Sequence, residues 1–276
     1  MPTERSQPEF SRSPLTLTRV LVWRCAALCT VANLLAGVAY ALSFHLAAWT
    51  NPTDGVIAAL DLDGEGSMHA WLSTITLFVA GLLSLALWRF AVRSGSPSSE
   101  RLCWLGTGAT LLVMSLDEGG SMHEAFKEAC VRLFGTRLIG DGSIYWVIPY
   151  AIALGLCFAA LLRSLRHRPL LQAGIVTAAI CYAAAAAAQM ELFWPTEDVA
   201  EIVFEELLEA QGAITLATVA GLHLSSHLRF QVNRPATTRA TSTGQVIVIR
   251  AGRQPVRTAI AAGEPVAHGS RQSRAA

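Results

Sequence analysis

Charged residues are scarce in this chain. Asp, Glu, Lys and Arg make up 15% of its 276 residues, whereas about 25% is usual for a soluble domain. Windows of about 20 residues, the length of a helix that crosses a bilayer, pass with one charge or none. This excludes a soluble globular protein. A net charge of +1 gives no support for binding nucleic acid, and the six cysteines do not form the pattern of a disulfide framework.

Apolar sequence, by contrast, is abundant at 53% and is bunched into runs. Six windows are predicted to span a membrane, at about 20–47, 70–92, 102–120, 144–163, 170–190 and 207–228. The fold class predicted is therefore all-α, a polytopic bundle of about six transmembrane helices over residues 19–229. Residues 1–18 and 230–276 are predicted to be a disordered arm and a disordered basic tail. Ala39-Tyr40-Ala41 resembles a signal-peptide cleavage site, but the apolar run is too long for one, which favours an uncleaved first span.

The basic residues predict the orientation of these spans. Eighteen of the 21 lie in the two terminal segments, in the connections after spans two and four or at the span ends beside them, and the other three are Lys127, Arg132 and Arg137. Cytoplasmic loops carry the excess of Lys and Arg in membrane proteins. Both termini are therefore predicted to be cytoplasmic.

The acidic residues have the opposite distribution. Sixteen of the 20 fall in the segments predicted to face outside, the exceptions being Glu4, Glu9, Glu100 and Glu264. Acids contribute little to topology, so this asymmetry needs another cause. A solvated acidic face is one explanation, and a site that uses carboxylates is the other.

The first acidic motif closes span three, in the sequence Ser115-Leu116-Asp117-Glu118-Gly119-Gly120-Ser121-Met122-His123-Glu124. About 15 uncharged residues precede Asp117, fewer than the 20 or so needed for a crossing, so Asp117 and Glu118 are predicted near the outer boundary of the bilayer. A helix that continued through the two glycines would align Asp117, Glu124 and Glu128 on one face. A bend at the glycines would redirect the second half.

The second acidic motif opens span six. Glu201, Glu205 and Glu209 are spaced four residues apart, and Glu206 lies beside them. Like charges at this spacing destabilise a helix by about 0.2–0.5 kcal/mol per pair. Acids gathered at one depth of a membrane commonly share a proton or a cation.

These motifs resemble those of a group of bacterial multi-span membrane proteins without an established activity. The resemblance consists of Ser-Leu-Asp-Glu at 115–118, His-Glu at 123–124 and Glu-Glu-x-x-Glu at 205–209, and it covers spans one to six in outline. It implies a multi-pass protein of the bacterial plasma (inner) membrane. A fainter resemblance, to membrane hydrolases of the alkaline ceramidase type, implies a metal site with several histidines. This chain departs from that pattern because its outer side offers only His45, His69 and His123.

Three functions are compatible with this pattern. The first is a metal-dependent hydrolase acting on a lipid-like substrate, because carboxylates with one or two histidines suit a divalent ion, whose identity the sequence does not indicate. Glu118 or Glu206 would be the general base, and the predicted metal ligands are Asp117, His123, Glu124, Glu205 and Glu209. The alternatives are a proton- or cation-coupled transporter and a structural or sensory membrane protein. Whether the chain is an enzyme, and its oligomeric state, stay open.

Overall fold

The computed structural model of the chain describes residues 14–50, 58–62, 64, 66–139, 142–190, 192, 199–232, 239–240 and 246–247. Its helices are α1 (Pro14–Thr50), α2 (Met68–Arg93), α3 (Ser98–Gly120), α4 (Met122–Phe134), α5 (Ile144–Ser164), α6 (Pro169–Gln189) and α7 (Val199–Val232), with a short 3₁₀ helix at Ala58–Leu60. The chain divides into two units, Met1–Arg229 and Phe230–Ala276. In the second unit, the two-residue strands β1 (Arg239–Ala240) and β2 (Val246–Ile247) pair in antiparallel fashion.

The first unit is an all-helical, multi-pass membrane domain, as predicted. Five segments within its helices are long and apolar enough to cross a bilayer: Thr18–His45, Met68–Arg93, Ile144–Ser164, Pro169–Gln189 and Val199–His227. At about 1.5 Å per residue, the shortest of them, with 21 residues, is about 30 Å long, which matches the hydrocarbon thickness.

Helix α3 makes the sixth traverse of the bundle although its composition is less apolar. Glu100 and Arg101 lie in its first turn, and Asp117 and Glu118 lie in its last turns. The end of α3 and the beginnings of α2, α5 and α7 line one cavity, so α3 runs the length of the bundle between the end of α2 and the beginning of α5. We call the end of the bundle that holds this cavity the outer end.

The surface of the bundle is more apolar than parts of its interior. On α1, large side chains such as Leu28 and Leu35 are more than half exposed, whereas Ser73, Ser84 and Thr107 are buried between helices. Small and polar residues facing one another across helices, with large apolar residues outside, are typical of helix packing in lipid. The exposed surface therefore contacts the bilayer.

Two glycines bring the backbones of α2 and α3 into contact. A Cβ atom at Gly81 would lie 3.3 Å from the carbonyl oxygen of Gly108, and one at Gly108 would lie 3.2 Å from that of Gly81 and 2.8 Å from the side chain of Leu85. Only glycine permits such an approach. The backbones of α2 and α3 are therefore in direct contact at Gly81 and Gly108.

Helix α7 lies against several of the other helices. A Cβ at Gly37 of α1 would meet Leu207, one at Gly174 of α6 would meet Val219, and one at Gly221 of α7 itself would meet side chains of α1 and α2. More than half of its membrane segment is buried, the highest share of the five segments. This central position brings the acids of α7 to the cavity.

Substituting the glycine at the α2–α3 contact should destabilise the domain. We expect Gly108→Leu to lower the stability by about 1–3 kcal/mol, because the new side chain has no room between Leu85 and the backbone of Gly81. The control is Gly106→Leu on the same helix, where nothing lies within 4 Å of an added Cβ. Thermal unfolding in detergent measures both variants, and equal losses would contradict the proposed backbone contact.

Candidate functional site

A cavity of about 700 Å³ lies at the outer end of the bundle. Along α5 its wall runs from Trp146 to Phe158, about 18 Å at 1.5 Å per residue. Acidic residues line its outer part: Asp117, Glu118, Glu124, Glu201, Glu205, Glu206 and Glu209. Apolar residues line its inner part: Met114, Leu154, Phe158, Ala179, Ala183 and Ala186. The cavity thus has a polar mouth and an apolar floor, the two environments that an amphipathic molecule requires.

The helix that carries the first acidic motif ends at the mouth of this cavity. Ser121 has a φ of 53°, in the left-handed region, and α4 begins at the next residue. The break at Ser121 immediately follows Gly119 and Gly120. The chain therefore bends after the glycines, which is the second of the two alternatives given by the sequence. The common face predicted for Asp117, Glu124 and Glu128 on one continuous helix is therefore not formed.

Asp117 holds the two helices together across this break. Its Oδ1 atom accepts a hydrogen bond from the backbone N–H of His123. Its Oδ2 atom accepts a hydrogen bond of 2.7 Å from the Tyr150 hydroxyl and lies 3.3 Å from Nδ1 of His123. A carboxylate accepts and does not donate, so the proton of a neutral His123 ring is assigned to Nδ1. Nε2, which lies 3.8 Å from Glu124, is then the nitrogen that can take up a proton.

A second histidine is anchored in the same way by a residue of α1. The side-chain amide of Asn33 donates to the backbone carbonyl of Leu207, at 2.9 Å, which fixes the orientation of the amide. Its oxygen therefore faces Nε2 of His69, also at 2.9 Å, and this nitrogen carries the proton. Nδ1 of His69 faces the carboxylate of Glu206 at 3.5 Å. All of this lies at the buried junction of α1, α2 and α7.

Three further carboxylates, those of Glu118, Glu206 and Glu209, interact electrostatically with one another or with the two histidines. Glu118 lies within electrostatic range of both Glu206 and Glu209. Glu209 in turn lies within range of His69 and His123 as well as Asp117. Ionised carboxylates this close repel one another and are costly away from water. The arrangement therefore favours a bound cation or proton at this position.

The remaining predicted site residues have other partners. Glu124 forms an ion pair of 2.6 Å with the buried Lys127, and Glu128 pairs with Arg137 on the exposed surface. Glu205 lines the cavity. Four further acids of the segments predicted to face outside, Asp63, Glu65, Asp141 and Glu191, lie outside the described residues. Within the described ranges, no group of three or more His, Cys, Asp or Glu side chains stands close enough to hold a metal ion.

Sequence reasoning missed Tyr150, His69 and Asn33. His69 lay outside the predicted ligand set, and Asn33 was not singled out at all. The available signal was an Asn in the middle of the largely apolar first span, since polar residues in spans commonly face the interior and pair there.

A comparison with known families matches residues 17–224 to a domain of unknown function, DUF8692. The chain belongs to this family. The match covers the whole cavity wall, from Leu62 on the 3₁₀–α2 connection to Glu209 on α7. No curated protein and no solved structure matches the chain.

The Asn33–His69 hydrogen bond should appear as an energetic coupling. We expect the double-mutant cycle of Asn33→Leu and His69→Phe to give a coupling of about 0.5–3 kcal/mol, because each single change leaves a buried polar partner unpaired. Thermal unfolding in detergent with EDTA measures the four proteins. The control cycle pairs His69→Phe with Leu34→Ala, on the exposed face of α1, and should be additive. An additive Asn33–His69 cycle would contradict the contact.

Proposed function

We propose that this membrane domain is a metal-dependent hydrolase that acts on a lipid-like substrate at the outer side of a bacterial plasma membrane. The observation that carries the proposal is an amphipathic cavity whose mouth is lined by carboxylates and by the anchored His123, with the second anchored histidine, His69, beside the cavity-lining Glu206. The excess of basic residues at the opposite ends of the spans supports the orientation.

The contacts favour His123 as the general base. Asp117 holds its ring, in the manner of the carboxylate that orients histidine in many hydrolases, and Tyr150 in turn donates a hydrogen bond to Asp117. Nε2 would remove a proton from water as the water oxygen attacks the substrate, and would return that proton to the departing group. Asp117 was expected to be a metal ligand, but its oxygens already accept hydrogen bonds, so an orienting role suits it better. The sequence-based choice of Glu118 or Glu206 as base would then give way to His123.

The divalent ion of this proposal would be held by His69, Glu118, Glu206 and Glu209. Metal-binding histidines commonly donate their other ring N–H to an oxygen acceptor, as His69 does to Asn33. Closure around an ion requires these side chains to rotate toward one another from their present positions. The ion would supply Lewis acidity and would neutralise the carboxylates.

The metal content of the purified protein tests whether the site binds a divalent cation. We expect about one divalent ion per chain by mass spectrometry after reconstitution with Mg²⁺, Mn²⁺, Zn²⁺ or Fe²⁺, and at least a tenfold loss in Glu206→Gln and Glu209→Gln. Glu128→Gln is the matched control, because Glu128 lies on the exposed surface beside Arg137. If the wild-type protein retains none of these ions, the metal-dependent mechanism is wrong, and the carboxylates would have to exchange protons instead.

The rate at which the protein hydrolyses membrane lipids tests whether His123 is the general base. We expect Asp117→Asn and His123→Ala to lower the hydrolysis rate by about 10²–10⁴-fold, with a smaller loss in Tyr150→Phe. Lipid extracts incubated with the protein in nanodiscs, followed by mass spectrometry of the products, give the rates. Tyr145→Phe, whose exposed hydroxyl bonds the carbonyl of Thr136, should retain full activity. Equal rates in Asp117→Asn and the wild type would refute the assigned role.

A further inference from the structure

Two polar atoms in the cavity wall are buried and have no hydrogen-bond partner among the described residues. They are the hydroxyl of Tyr182 on α6 and the indole N–H of Trp146 on α5. The indole can only donate a hydrogen bond, and the phenol most readily donates one. Buried polar groups are normally paired in folded proteins. Both side chains line the cavity, so a bound molecule that carries an acceptor is the partner that these unpaired donors would take after a small side-chain adjustment.

The position of Tyr182 is fixed by its surroundings. Its side chain is 8% exposed, and its ring lies against Gly212 of α7, where an added Cβ would approach the ring to 2.8 Å. Phe158 packs on the ring at a centroid distance of 6.3 Å. The ring is consequently fixed between α7 and Phe158, with acidic and apolar lining residues of the cavity around it.

The charges around this position restrict the chemistry of the acceptor. In the metal-free protein Glu118 and Glu209 both act electrostatically on Tyr182, so an anionic acceptor such as a phosphate would be repelled there. The apolar lining below, which includes Met114 and Leu154, suits a hydrocarbon chain. An uncharged carbonyl oxygen at the head of an alkyl chain satisfies both conditions.

We propose that the cavity binds an acyl lipid whose ester or amide carbonyl oxygen accepts a hydrogen bond from Tyr182, with the acyl chain on the apolar floor. The inference rests on the proposed function, in which the substrate is lipid-like. It adds that the protein recognises an ester or amide linkage and that Tyr182 selects it. Tyr182 is thereby a specificity-determining residue.

Two probes of equal chain length test the selection. They are 1-monomyristoylglycerol, which has an ester carbonyl, and 1-O-tetradecylglycerol, which has an ether in its place. Binding to the full chain is measured in detergent with EDTA, so that hydrolysis does not consume the ester. We expect the wild-type protein to bind the ester about five- to tenfold more tightly, which is the contribution of one hydrogen bond. Tyr182→Phe should remove this preference by weakening ester binding while ether binding stays unchanged.

The control and the melting temperature separate binding from folding. Tyr145→Phe makes the same change on the exposed surface of α5 and should keep the wild-type preference. Because the Tyr182 hydroxyl has no partner, Tyr182→Phe should unfold at the wild-type temperature or above it. Equal binding of both probes by the wild type, an unchanged preference in Tyr182→Phe, or no binding of either probe would overturn the inference. A preference for the ester without any lipid hydrolysis would retain the inference and refute the proposed enzyme.

Discussion

The architecture of this domain depends on keeping several carboxylates together at the edge of a bilayer. Glu118 is repelled by both Glu206 and Glu209, and a carboxylate that leaves water loses solvation that only hydrogen bonds or cations replace. The polar contacts at the outer end supply the hydrogen bonds and the positive charge that the site needs. Asn33 holds His69 in place, and Tyr150 holds Asp117, the acid that contacts His123. Lys127 neutralises Glu124. The apolar exterior then contacts lipid without exposing these groups to it.

Much of the fold could be predicted from the sequence because the bilayer imposes a simple rule. A helix must be about 20 apolar residues long to cross, and this length is visible in composition alone. Five of the predicted spans were confirmed in this way. The segment around Asp117 and Glu118 was also predicted correctly as a helix that ends in acids, although its composition is the least apolar of the six.

The candidate site was less predictable because its contacts join residues far apart in the chain. The acids of α3 and α7 could be recognised by their clustering, but the partners of the two histidines could not. Asn33 is separated from Leu207 by 174 residues, and no local pattern encodes that pairing. Similarly, the bend after the two glycines was recognised as one of two alternatives, but only the left-handed conformation of Ser121 determines the direction in which α4 leaves α3.

The backbone contact between Gly81 and Gly108 also restricts how a molecule can enter the cavity. At this crossing the backbones of α2 and α3 approach each other directly, and the side chains of Leu85 and Leu112 pack against the two glycines. The seam between them is therefore closed to lipids of the surrounding leaflet. Entry has to occur from the aqueous end or through another seam, such as that between α5 and α6, where the cavity-lining residues Gly155 and Ala183 are small and exposed. The contact between Gly81 and Gly108 thus restricts the side from which a molecule can enter the cavity.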